Sequence, residues 1–210
     1  MLIREFCAEN FTDVPRAVAA GAERIELCDN LAVGGTTPSY GVIKETADYL
    51  KDTKTTFASM IRPRGGDFVY NSIELRIMES DILKAVEAGT SELVFGALTD
   101  DNSLDLEALE TLMIASQGLP VTFHMAFDEI PTDLQKSALD ELVTLGFDKI
   151  LMHGDKLGKS VNTETIAELV SYADGRIQIL AGGGVTAANA ETVSAQTGSP
   201  YVHGTKIVTL

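Results

Sequence analysis

The chain predicts a TIM-type (β/α)8 barrel, an α/β fold, on three observations. Eight short β-branched runs alternate with seven amphipathic segments along 210 residues. No low-complexity stretch or linker interrupts residues 1–210, so a single domain carries the whole pattern. Gly21, Gly89, Gly146 and Gly198 each close a helical segment four residues before a strand hydrophobe (Ile25, Leu93, Ile150, Val202), at intervals of 68, 57 and 52 residues. Each interval spans two strand-helix units, as four doubled repeats would. Strict alternation forces a parallel sheet with right-handed crossovers, and eight such strands close more naturally into a barrel than into a doubly wound open sheet.

Taken in order, the first strand runs from Leu2 to Cys7 with Ile3, Glu5 and Cys7 on the inner face, and the first helix lies near 11–20. On the second strand, Arg24 to Leu27, the apolar Ile25 and Leu27 face the helix layer, which turns Arg24, Glu26 and Cys28 inward. Ser39 opens a helix over 38–51. The third strand, Thr55 to Ile61, continues into Arg62-Pro63-Arg64-Gly65-Gly66-Asp67, and Ser72 opens the helix of 71–88. A fourth strand, Glu92 to Phe95, and a helix over 104–116 lead to the fifth, Val121 to His124. There Val121 and Phe123 point outward, so His124 points in. Helix 132–145, strand Lys149 to Met152, helix 163–173 opened by Thr163, strand Gln178 to Ala181, helix 186–197 opened by Thr186, and strand Tyr201 to about Thr205 complete the alternation. Five residues follow Thr205, too few for an eighth helix. The barrel is therefore expected to be open on that flank, which offers a subunit interface: a homo-oligomer, with a dimer favoured.

Charge narrows the partners. Asp and Glu number 31 against 16 Lys and Arg, a net −15 spread along the chain rather than gathered in a tail. Such a field repels phosphodiester backbones and anionic head groups, so nucleic acid and membrane surfaces are excluded as expected partners. No apolar run approaches the roughly 18 residues of a spanning helix, and Arg4 and Glu5 break the place where a secretory signal would be hydrophobic. A cytoplasmic protein is expected, with Cys7 and Cys28 reduced.

Two constellations carry chemistry. Neighbouring strands each present Glu-x-Cys, as Glu5-Phe6-Cys7 and Glu26-Leu27-Cys28. Adjacent strands lie about 5 Å apart, so the two sulfurs could share one ion, Cu(I) or, with added ligands, Zn(II). Against this stands the plain reading of each cysteine as a small buried hydrophobe. The second constellation gathers Glu5, Glu26, Arg62 and His124 at one end of the barrel, either as a structural ion pair of Arg62 with the glutamates or as a site for a small carboxylated or phosphorylated metabolite. In the latter, Arg62 or Arg64 holds one anionic group, and Gly183, Gly184 and Lys206 cradle a second after the seventh and eighth strands. His124, steadied by Asp128 or a glutamate, then shuttles a proton with Glu26 as partner base. His153 and His203 also fall at strand ends, without an assigned role.

Several segments together resemble a known family. They are Arg24-Ile25-Glu26-Leu27-Cys28, Gly34-Gly35-Thr36-Thr37-Pro38-Ser39-Tyr40-Gly41, Met60 to Phe68 around Arg62-Pro63-Arg64-Gly65-Gly66-Asp67, Phe95-Gly96-Ala97-Leu98-Thr99, Pro120 to His124, and Ala181-Gly182-Gly183-Gly184. On these the chain resembles the CutC family of copper homeostasis proteins. The resemblance implies a TIM-type barrel in the cytoplasm, self-association, and a role in copper homeostasis with Cys7 and Cys28 as Cu(I) ligands; no organic cofactor is implied. Two departures bear on the mouth: Met125 stands where the family usually has arginine, and Met152-His153-Gly154 replaces Thr-Ser-Gly.

Overall fold

The computed structural model describes residues 2–210. Eight strands, β1 (Ile3–Glu9), β2 (Arg24–Cys28), β3 (Thr56–Met60), β4 (Glu92–Phe95), β5 (Val121–Phe123), β6 (Lys149–Met152), β7 (Gln178–Ala181) and β8 (Tyr201–Gly204), pair in chain order into a closed barrel. Every pairing is parallel, including the closure of β8 on β1. Seven helices cross between them: α1 (Val14–Ala19), α2 (Tyr40–Leu50), α3 (Ser72–Ala88), α4 (Leu106–Ala115), α5 (Gln135–Leu145), α6 (Thr163–Ala173) and α7 (Ala190–Thr197).

The inside-outside alternation follows the pattern of apolar residues. Ile25, Leu27, Leu93, Phe95, Val121, Phe123, Ile150 and Val202 point outward into one core shared with the helices, while Cys7, Cys28, Ala58, Met60 and Val94 form a separate small apolar cluster inside the barrel. The flank beyond β8 is not bare. Ile207 and Val208 are buried in the outer core, where a helix would otherwise pack. No helix of the described residues is long and apolar enough to cross a membrane.

Helix starts differ from expectation by short steps. Ser39 does cap α2, its hydroxyl accepting from the Val42 amide. Ser72 and Thr163 do not cap: Asn71 and Asn162, one residue earlier, take that place in extended backbone and accept from amides of the first turn. Thr186 lies before α7, its own amide donating to Asn189. Asn71 completes a reciprocal box in which the Glu74 carboxylate accepts from the Asn71 amide, so both ends of the turn are satisfied. Asn71→Ala should therefore cost about 1 kcal/mol in urea unfolding, whereas Ser72→Ala stays within about 0.5 kcal/mol of the parent.

One strand ends early. β5 stops at Phe123, because His124 folds back as the cap of a 3-10 turn over Met125–Glu129, its Nδ1 accepting from the Ala126 amide at 3.3 Å.

Candidate functional site

Register places the two Glu-x-Cys motifs side by side. Glu5 lies opposite Arg24, Cys7 opposite Glu26, and Glu9 opposite Cys28, so the cysteines are diagonal neighbours on one face. Both belong to the interior cluster and are buried. Between them sits the Glu26 carboxyl, whose Oε2 lies 3.3 Å from Cys7 Sγ and 3.6 Å from Cys28 Sγ, within hydrogen-bond reach of both sulfurs. His203 closes the group from β8: its Nε2 is 3.7 Å from Glu26 Oε2, and its Nδ1 is 2.8 Å from Glu5 Oε1. Donor atoms of Cys7, Glu26 and His203 all lie within 4.8 Å of one another.

The groups differ sharply in charge state because they are buried together and within reach of one another. The neighbouring Cys28 thiol, helped by His203 and Glu26, draws the Cys7 thiol down to about 5 in spite of burial. Cys28 is the other half of that contact and is pushed well up, by Cys7 and by burial. Burial likewise raises Glu26 well above the carboxylate range. For His203 burial works against the charge, but Glu26, Cys7 and Glu5 outweigh it and hold the imidazole protonated well above its usual range. Burial also opposes ionisation of Glu5, yet Arg24 and His203 bring it down to about 2.

Beneath this cluster runs a buried chain of ion pairs that the sequence reading did not contain. Arg24 donates through Nε to Glu5 at 2.9 Å and through Nη1 to Glu92, and Lys149 Nζ donates to Glu92 at 2.8 Å. The signal was available in the alternation: Leu93 and Phe95 outward on β4 imply Glu92 inward, and Ile150 and Met152 outward on β6 imply Lys149 inward.

The remaining candidates are placed elsewhere. Arg62 does not meet Glu5 or Glu26. Its guanidinium donates to the carbonyls of Val33, Gly35 and Gly66 at 2.9, 3.1 and 2.7 Å and lies over the Phe68 ring, 4.8 Å from its centroid. It fastens two mouth loops together rather than facing the interior. Arg64 is spent on Glu74, Asp67 and the carbonyls of Gly65, Asp67 and Val69, which leaves no free fork for an anion. His124 is fully buried between Phe68 and Phe123, and burial together with the Arg62 charge lowers it to about 3. Its Nδ1 is taken up by the Ala126 amide and its Nε2 is buried without a protein partner, so neither Glu26 nor Asp128 bonds to the ring.

Asp128 does not steady it. The Asp128 carboxylate accepts from the backbone amides of His153 and Gly154 at 2.9 and 3.0 Å, fixing the turn after β6, and burial raises it to about 7. Gly183 and Gly184, at φ +90° and +77°, do line a cavity of about 420 Å³. Lys206 is absent from its walls; the Lys206 carbonyl accepts from Ala187 at 2.8 Å, and Lys159 of the loop after β6 lines the cavity instead. His203 forms part of the same wall, so one residue is shared between the cavity and the thiol cluster, whose sulfurs and Glu26 do not line it. Lys159 was illegible because its loop has neither periodicity nor motif.

Fold and site thus define a (β/α)8 barrel with a buried cluster of two thiols, a carboxyl and an imidazole at its mouth. The sequence pattern of the CutC family matches residues 2–208, and the chain belongs to that family. A CutC protein of Streptococcus pyogenes serotype M6 is 58% identical over 209 residues, covering 99% of this chain and all of that protein. The human protein named copper homeostasis protein cutC homolog is 39% identical over 201 residues, 96% of this chain and 72% of its own. Among solved structures, CutC from Streptococcus agalactiae superposes with a TM-score of 0.96 at 56% identity, covering 99% of this chain and all of that one. A deoxyribose phosphate aldolase from Aeropyrum pernix, at TM-score 0.73 and 14% identity over 98% of this chain and 86% of that one, shares the barrel fold alone.

Proposed function

We propose that the chain is a copper homeostasis protein that binds Cu(I) as its cargo through Cys7 and Cys28. The observation that carries this reading is that both sulfurs reach the same Glu26 oxygen, at 3.3 and 3.6 Å, in the buried interior of the barrel. Two soft sulfurs on one face suit a Cu(I) ion, which accepts two thiolates, and a pocket that already draws Cys7 to about 5 supplies one of them near neutral pH. Family membership and the name of the human relative support the same conclusion. Glu26 and His203 border the sulfurs and orient them, as outer groups do around a metal. Such a site needs reduced thiols, and the two free cysteines fit a reducing compartment such as the cytosol.

Competition between the reduced protein and a Cu(I) chelator tests the proposal. The parent should hold about one Cu(I) per chain, and Cys7→Ser and Cys28→Ser should each weaken it at least tenfold. If the double serine variant competes as well as the parent, the thiols are not the ligands.

A further inference from the structure

The cavity beside His203 has a chemistry that Cu(I) binding does not use. None of its nine lining residues is acidic, in a chain where 31 of 210 are. It is instead a collection of unspent donors. The backbone amides of Gly183 and Gly184 donate to no protein group, and neither the Lys159 ammonium nor the hydroxyls of Ser160 and Thr205 have a bonding partner among the described residues. Two consecutive residues with positive φ expose those amides on one turn. The close packing of the turn is also built in: a Cβ on Gly183 would come within 2.9 Å of the His153 ring, and one on Gly204 within 2.3 Å of the Val185 carbonyl oxygen.

Amides, hydroxyls and one lysine on residues that line one cavity without a carboxylate match a tetrahedral oxyanion, whose several oxygens take several donors at once. The volume, about 420 Å³, exceeds what a bare ion fills and lies in the range of small-molecule pockets. The imidazole-bearing residue His203 lines the same cavity. We propose that this cavity binds a small phosphate monoester, with the phosphate on Gly183, Gly184 and Lys159 and the rest of the molecule toward His203. This ligand is independent of the copper reading.

The test is a titration of isotope-labelled, metal-free, reduced protein with inorganic phosphate and then with glycerol 3-phosphate, followed through the amide resonances. The Gly183 and Gly184 amides should shift saturably with both probes, glycerol 3-phosphate binding at least as tightly. Lys159→Glu, on the exposed loop, should weaken both at least tenfold. Lys156→Glu makes the same charge change beside a different cavity, and it should retain the affinity of the parent. The Cys7→Ser/Cys28→Ser variant should also bind as the parent does, which separates this site from the copper site. No saturable shift at those two amides overturns the proposal, as does equal weakening by the two lysine variants, which would reflect net charge alone. Binding of phosphate without glycerol 3-phosphate overturns the assignment to a monoester.

Discussion

Glu92→Gln should destabilise the protein by roughly 3 to 5 kcal/mol, the cost of leaving buried charge unpaired. Glu92 accepts from both Arg24 and Lys149, and all three side chains are at most about a tenth exposed. With the carboxylate gone, Arg24 still has Glu5, but Lys149 is left facing a neutral amide in a largely buried position. The second variant follows from that asymmetry. Lys149→Met in the Glu92→Gln background removes the stranded cation and should recover most of the loss, since an ion pair exchanged whole for groups of similar volume is often close to neutral. Urea unfolding of the parent, both single variants and the double variant gives the coupling directly. A double variant no more stable than Glu92→Gln would mean that the cost lies in packing, not in charge.

That ion chain also marks how much of this molecule is readable without coordinates. The eight strands are legible because a period of two is a one-dimensional property: Ile25 and Leu27 outward fix Arg24, Glu26 and Cys28 inward, and the barrel obeys. The meeting of Cys7 with Cys28 follows from the same parity plus chain-order pairing. Partner choice by long side chains is a different matter. The guanidinium of Arg62 is carried on a flexible stem from a strand end, and its acceptors are three carbonyls, at Val33, Gly35 and Gly66, from loops whose approach no periodicity encodes. Asp128 is similar: it lies four residues after His124, yet the turn over Met125–Glu129 carries it to the amides of the next strand's end. Capping fails by one residue where Asn and Ser or Thr stand together, as in Asn71-Ser72 and Asn162-Thr163. Both types can accept from the first turn, and the neighbouring backbone decides.

His124 should make the fold acid-labile in a way that a single substitution removes. Its ring is fully buried, and burial with the nearby Arg62 charge holds it neutral down to about 3, whereas the unfolded chain protonates it near 6.5. Between those values the unfolded state binds the extra proton. Stability from this residue is therefore complete above about pH 6.5 and is lost as pH falls toward 3. From pH 6 to pH 4 the linkage amounts to roughly 2 to 3 kcal/mol. Asp128, raised to about 7, slopes the other way over much of that range, so the parent's profile alone would understate the effect. His124→Asn isolates it. The amide oxygen can still accept from Ala126 and cap the turn, the titration is gone, and Asp128 contributes equally to both proteins. Urea midpoints measured at pH 6, 5 and 4 should show the parent losing roughly 2 to 3 kcal/mol relative to His124→Asn, whatever constant offset the smaller side chain introduces. Parallel profiles would mean that the ring protonates in the folded state, which would require Phe68 and Phe123 to open around it well before the barrel unfolds.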